Sequence, residues 1–140
     1  MEDTEYHKSR VTRREESYKT DGVPSRYVFV LTNKCNLSCS FCFQDRKKLP
    51  NSMDFNDWVE LSNKLPRGSH VTLTGGEPLA FKNFDNILQH ITTRHTVNII
   101  CNGVLLTKRV VDLLCSNQNV KVLTISIDTI GNINRGVTAN

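Results

Sequence analysis

The run Cys35-Asn-Leu-Ser-Cys39-Ser-Phe-Cys42 sets three thiols at the spacing Cys-x-x-x-Cys-x-x-Cys. Thiolates are soft ligands, suited to iron–sulfur clusters and zinc. A single loop carrying three of them can grip one metal centre. Three sulfurs cannot fill the corners of a four-iron cluster, so one iron is left open to bind something else. That vacancy would let an electron carrier act as a catalyst. A structural zinc site is the alternative, and it needs a fourth ligand from Cys101, Cys115 or a histidine. Zinc modules usually pair two Cys-x-x-Cys knuckles, and no second knuckle occurs in this chain.

The second chemical signal is Gly75-Gly76-Glu77-Pro78. Its plainest reading is a turn after a strand. Beside a ligand, glycine has a further use. Backbone without Cβ can approach closely and aim its carbonyls at a bound ammonium group. Glu77 adds a negative charge, and Pro78 fixes the exit direction. The site suits a ligand bearing a primary amine.

The elements that must position these residues follow from periodicity. Tyr27-Val-Phe-Val-Leu31 is rich in β-branched and aromatic residues and predicts a strand that runs into the cysteine loop, which Pro50 closes. Phe55, Trp58, Val59 and Leu65 share a helical face, with Ser52 or Asp54 as the cap and Pro66 and Gly68 as the stop. Val71–Thr74 is the second strand. Phe84, Ile87, Leu88 and Ile91 define a second helix, and Val97–Cys101 a third strand. Thr107 caps a third helix with Val110, Val111 and Leu114 facing inward. Val122–Ile127 is the fourth strand, and Asp128–Asn140 reads as turn-like. Alternating strands and helices imply an α/β fold, a parallel sheet with outer helices. Chemistry in such folds collects at the carboxyl ends of the strands. The cysteine loop, Gly-Gly-Glu-Pro, Asn102-Gly103 and Asp128 all fall there.

The remaining candidates have plainer readings. Asp128 is a turn former. Asn102-Gly103 makes a tight strand-to-helix turn, with a supporting role near a ligand secondary. Cys101 and Cys115 are packing residues. Trp58 is helix core. His7, His70, His90 and His95 show no ligand spacing and are expected at the surface or its boundary.

The chain has 140 residues, of which 38% are apolar, enough for one folded domain. Its net charge is +4, yet residues 1–26 carry six Lys/Arg and six Asp/Glu and show no apolar period. That segment is expected to be a mobile arm, with the folded domain over 27–140. No long basic run occurs, so nucleic acid is not indicated. Five cysteines, three within eight residues, do not make a disulfide framework. The acidic, polar start is no signal peptide, and no apolar run is long enough to span a bilayer. A reducing cytoplasmic compartment is expected.

A Cys-x-x-x-Cys-x-aromatic-Cys loop after the first strand, then Gly-Gly-Glu-Pro after the second, resembles the radical S-adenosylmethionine (radical SAM) superfamily. The resemblance covers about residues 27–136. Thr74-Gly-Gly-Glu-Pro-Leu79 and Cys101-Asn-Gly-Val-Leu-Leu-Thr107 are similar to stretches of its peptide- and protein-modifying branches, which include SPASM-domain enzymes and anaerobic sulfatase maturases.

The resemblance implies a partial (β/α) TIM-like barrel, of which four strand–helix units are visible. It implies a [4Fe–4S] cluster on Cys35, Cys39 and Cys42, with SAM chelating the open iron. Phe41 would lie near the adenine. Gly75, Gly76 and Glu77 would meet the methionine amino group, Ser126 the ribose and Arg135 the SAM carboxylate. The implied reaction is reductive cleavage of SAM to a 5′-deoxyadenosyl radical that abstracts hydrogen. Its partners would be a peptide, protein or small-molecule substrate, an external one-electron reductant, and a second chain completing the barrel. The chain departs from the family after the fourth strand. Asp128 is followed by Thr129-Ile130 in place of Asp-Gly, a His-Asp pair is absent, and Arg135 comes early. A non-catalytic iron–sulfur module and an RNA-modifying member are the rival readings.

Overall fold

The computed structural model describes residues 22–42, 50–51 and 53–128, and the backbone of 133–134 and 137–138. Four strands, β1 (Arg26–Val30), β2 (His70–Thr74), β3 (Thr96–Cys101) and β4 (Val120–Ile125), form one parallel sheet in the order β1-β2-β3-β4. The connections carry α1 (Phe55–Lys64), α2 (Phe84–Thr92) and α3 (Lys108–Ser116). Register puts Phe29 opposite Leu73 and Leu73 opposite Ile99, so one row of side chains runs across three strands. This is the α/β half-barrel arrangement that the sequence pattern implies.

Local chemistry fixes the helix starts. Asp54, not Ser52, caps α1: its carboxylate accepts from Asp57 N at 3.0 Å, and the Asp57 carboxylate accepts from Asp54 N at 2.8 Å. This reciprocal pair satisfies two backbone donors that the helix leaves without partners. Thr107 caps α3 through Val110 N.

The core lies between the sheet and the helices. Phe84, Ile87, Leu88 and Ile91 bury the face of α2 against Val71, Leu73, Val97 and Ile99. Trp58 of α1 packs on Phe29 of β1, with ring centroids 4.9 Å apart and planes tilted by 33°. Such pairs add about 0.5–1.5 kcal/mol beyond area burial. Cys101 is buried, as its strand-end position suggests.

Several expectations need correction. β4 starts at Val120 rather than Val122, and a register irregularity beside Val97 accommodates the extra length. Val111 is exposed, because Val110 and Leu114 already define the inward stripe of α3 and its neighbour points away. Cys115, next to Leu114, is exposed for the same reason. His95 is buried, and its Nε2 donates to the Ser62 carbonyl at 3.0 Å, tying the entry of β3 to the end of α1. The turn-like tail includes two short antiparallel strands, β5 (Ile133–Asn134) and β6 (Val137–Thr138). β1 starts at Arg26 rather than Tyr27, and the Ser25 carbonyl accepts from His70 N at 2.8 Å.

β1 and β4 are the two edges of the sheet. On β4, Val122, Leu123 and Ile125 are all exposed, an apolar edge open to pairing. No helix among the described residues is long and apolar enough to cross a membrane.

The core and the edge respond differently to substitution. Ile91→Ala removes a fully buried side chain and is expected to cost about 2–5 kcal/mol. Val122→Lys is expected to change stability by no more than about 0.5 kcal/mol and to raise solubility. Urea unfolding followed by Trp58 fluorescence measures both.

Candidate functional site

The exits of β1 and β2 run side by side. Leu31 N donates to the Thr74 carbonyl at 2.9 Å, Gly76 N to Thr32 O at 2.8 Å and Glu77 N to Lys34 O at 2.8 Å. The start of the cysteine loop is thus sewn to Gly75-Gly76-Glu77 by backbone alone. A Cβ on Gly75 would lie 2.7 Å from the Thr32 carbonyl oxygen, and one on Gly76 would lie 2.3 Å from that of Lys34. Neither glycine has a positive φ. They are needed for space, not for conformation. The sequence suggests close approach by a ligand; the space where each Cβ would stand is filled by the cysteine loop itself.

Polar side chains pin the outer side of the same loop. Thr32 Oγ1 accepts from Lys34 N and donates to Asn51 Oδ1, each at 3.1 Å. Asn51 Oδ1 also accepts from Asn33 N at 2.8 Å, and Asn33 Nδ2 donates to the Pro50 carbonyl at 3.1 Å. Leu37 is buried and anchors the loop from within. Leu37 N points at Cys35 Sγ at 3.4 Å, and Cys42 N donates to Cys39 O at 3.1 Å, which folds the second and third cysteines into one turn.

Glu77 is 1% exposed, the most buried carboxylate among the described residues. Its Oε1 accepts from Leu79 N at 3.2 Å, capping the short 3-10 turn Pro78–Ala80, and its Oε2 accepts from Asn102 N at 2.7 Å. Hydrogen bonds to an ionised acceptor are stronger than neutral ones. Glu77 therefore clamps the exit of β2 to the exit of β3. Asn102 extends the clamp: its Nδ2 lies 2.9 Å from Asn36 Oδ1 and 3.9 Å from Cys35 Sγ, and its Oδ1 accepts from Val104 N at 3.0 Å.

These exits enclose a cavity of about 200 Å³, lined by Cys35, Cys39, Cys42, Gly75, Gly76, Glu77 and Ser126, with Cys101 and Asn102 beside them. The volume is below the roughly 300–1,000 Å³ of typical small-molecule sites. Ser126 is placed by its backbone N, which donates to the Cys101 carbonyl at 2.9 Å. Phe41 is exposed and is not brought into this cavity. Arg135 lies outside the described residues. Among the described residues, no three His, Cys, Asp or Glu side chains converge at metal-binding range. The three sulfurs share the cavity wall without being drawn together.

The donor set nevertheless fits an iron–sulfur cluster with an amine-bearing ligand. Three thiols stand on one loop, N–H groups face the Cys35 sulfur, and a buried carboxylate lines the same cavity. The Cys101 thiol is pushed above its usual range by burial, opposed by the Gly103 backbone N–H and reinforced by the charge of Glu77. Sequence reasoning missed the Thr32–Asn51 pins and the reach of Asn102 to the cysteine loop. Polar residues separated by tens of positions leave no periodic signal.

Comparison with known proteins places this geometry. Residues 29–139 match the family described as the Radical SAM superfamily. The chain is 36% identical over 114 residues to the sporulation killing factor maturation protein SkfB of Bacillus subtilis, covering 79% of this chain and 28% of that protein. It is 32% identical over 112 residues to a GTP 3′,8-cyclase of Clostridium perfringens, covering 71% of this chain and 33% of that protein. The fold matches Streptococcus suis SuiB bound to its precursor peptide SuiA with a TM-score of 0.64 and 21% identity, covering 91% of this chain and 29% of SuiB. It matches SuiB bound to S-adenosylmethionine with a TM-score of 0.63 and 21% identity, covering 99% and 33%. The chain thus spans about a third of the length of these relatives.

Two outcomes follow from the geometry. Gly76→Ala forces a Cβ into the Lys34 carbonyl; it is expected to cost about 1–3 kcal/mol and to lower iron uptake on anaerobic reconstitution. Urea midpoints and iron per chain measure the two effects. The raised Cys101 pKa means that the folded state holds its proton to higher pH than the unfolded state. Its contribution is constant below the unfolded value of about 8.5 and is lost as pH rises through the folded value. Cys101→Ala is therefore expected to flatten the alkaline fall in stability, read from urea midpoints at neutral and alkaline pH.

Proposed function

The chain belongs to the radical SAM superfamily, and on that premise we propose that Cys35, Cys39 and Cys42 hold a [4Fe–4S] cluster in a hydrogen-abstracting enzyme. The cofactors of that superfamily are this cluster and SAM. The observation that carries the proposal is the shared cavity: one wall is the cysteine loop, and the next is Gly75, Gly76 and Glu77.

When bound, the cofactors supply a one-electron cleavage of the sulfur–carbon bond of SAM, giving a 5′-deoxyadenosyl radical that takes hydrogen from a substrate. The chain's residues do the rest. Glu77 and the carbonyls of Gly75 and Gly76 would receive the methionine amino group, and Ser126, just past the end of β4, would meet the ribose. Phe41 and Arg135 remain candidates for the adenine and the carboxylate. The clamp through Glu77 and Asn102 keeps these groups in fixed relation, and hydrogen transfer needs such placement.

The substrate we propose is a peptide or protein. SkfB is a maturation protein, and SuiB was solved with a precursor peptide. Similarity to a GTP 3′,8-cyclase favours a second reading, a small-molecule substrate. An external one-electron reductant, a cytoplasmic location and further protein against the open edge of β4 complete the proposal.

The test is anaerobic reconstitution with iron and sulfide. The wild-type chain is expected to turn brown and bind about four irons, and Cys35→Ala, Cys39→Ala and Cys42→Ala each to lose most of that iron. In the intact full-length enzyme, dithionite and SAM are then expected to give 5′-deoxyadenosine, detected by chromatography, with none from the variants. One colourless zinc per chain would overturn the assignment. A stable cluster with no cleavage of SAM by that full-length form would favour the non-catalytic module.

A further inference from the structure

We propose that Asn102 is a positioning residue for the first cysteine of the loop, donating its side-chain amide to the Cys35 sulfur and raising the reduction potential of the cluster. The inference rests on the cluster reading above and adds to it a residue outside the cysteine loop.

The orientation of the amide is fixed by its own bonds. Oδ1 accepts from Val104 N at 3.0 Å, an Asx turn, so it is Nδ2 that faces the cysteine loop. One Nδ2 contact is Asn36 Oδ1 at 2.9 Å, and the other is Cys35 Sγ at 3.9 Å. Asn102 is also held by its backbone, whose N–H donates to the buried Glu77 carboxylate at 2.7 Å. The next residue, Gly103, has φ +83°, and a Cβ there would meet Ile125 Cγ2 at 2.9 Å. Backbone, turn and neighbour therefore leave the amide one direction to point.

The distance to sulfur is long for a neutral thiol. An ionised acceptor draws its donors closer, so the contact tightens when Cys35 is a thiolate. A donor at a cluster sulfur disperses negative charge, and it stabilises the more negative reduced state most. The Leu37 N–H approaches the same sulfur from within the loop at 3.4 Å. Asn102 supplies the second donor from a strand exit 67 positions away in sequence. It thereby couples the potential to the clamp that Glu77 makes between β2 and β3.

Asn102→Asp keeps the shape and replaces the amide donor with an acceptor, but its added negative charge lowers the potential by itself. Asn102→Ser is therefore the discriminating variant. It keeps a turn-forming side chain without charge and removes the reach to sulfur. Midpoint potentials come from redox titrations followed by electron paramagnetic resonance on reconstituted protein, with circular dichroism as the check on folding. Both variants are expected to shift the potential downward, Asp more than Ser, with an altered signal from the reduced cluster. Should Asn102→Asp lose its fold, Asn102→Ser carries the comparison. A wild-type potential in folded, cluster-loaded Asn102→Ser overturns the role of Asn102 alone. Wild-type chain that assembles no four-iron cluster overturns the cluster reading, and this inference with it.

Discussion

The structure depends on a backbone seam between two strand exits. Residues 31–34 and 74–77 pair through three main-chain hydrogen bonds after β1 and β2 have ended. Main-chain pairing at this distance leaves no room for Cβ on the inner strand, which is why two consecutive glycines stand there. Everything the cavity presents follows from that contact. It carries the cysteine loop over the end of the sheet, and it sets Gly75, Gly76 and Glu77 along the wall of the same cavity.

Glu77 extends the seam to the third strand. A carboxylate buried this deeply is costly unless hydrogen bonds compensate. Here the backbone N–H groups of Leu79 and Asn102 do so. The same two bonds start the 3-10 turn that leads to α2 and hold the turn that leads to α3. Thus one charged group both organises two crossovers and lends negative charge to the cavity. The apolar core beneath, centred on Leu73, Ile87, Leu88, Ile91 and Ile99, gives these exits a rigid base. The polar network above it is short-ranged and depends on that rigidity.

Most of the architecture was legible in the sequence because burial imposes a period. The α2 face, the strands and both helix caps left regular marks. The exceptions have physical causes. Val111 is apolar and sits beside the stripe of α3, yet the stripe was already complete without it. His95 looked like a surface residue because nothing local tells of the Ser62 carbonyl it reaches across the fold. In the site, cysteines and glycines were visible because their chemistry is rare and their spacing tight. The role of Gly75 and Gly76 as clearance for a neighbouring chain was not visible, since pairing of distant loops is a tertiary fact. Asn102 was legible as a turn former, but its second task depends on where a loop 67 positions away comes to rest.

Under the proposed ligand set, Cys101 is the cysteine of the cavity that stays out. It lines the same cavity as Cys35, Cys39 and Cys42, and in a structural zinc site it would be the natural fourth ligand. Metals bind the thiolate, not the thiol. Burial is the main cause that holds Cys101 in its protonated form; the Gly103 N–H opposes it, and the charge of Glu77 adds the smallest contribution. Of the three loop cysteines, Cys42 is exposed and Cys35 and Cys39 are half-buried. Burial at the end of β3, more than the charge of Glu77, thus disfavours the one extra thiolate beside the loop.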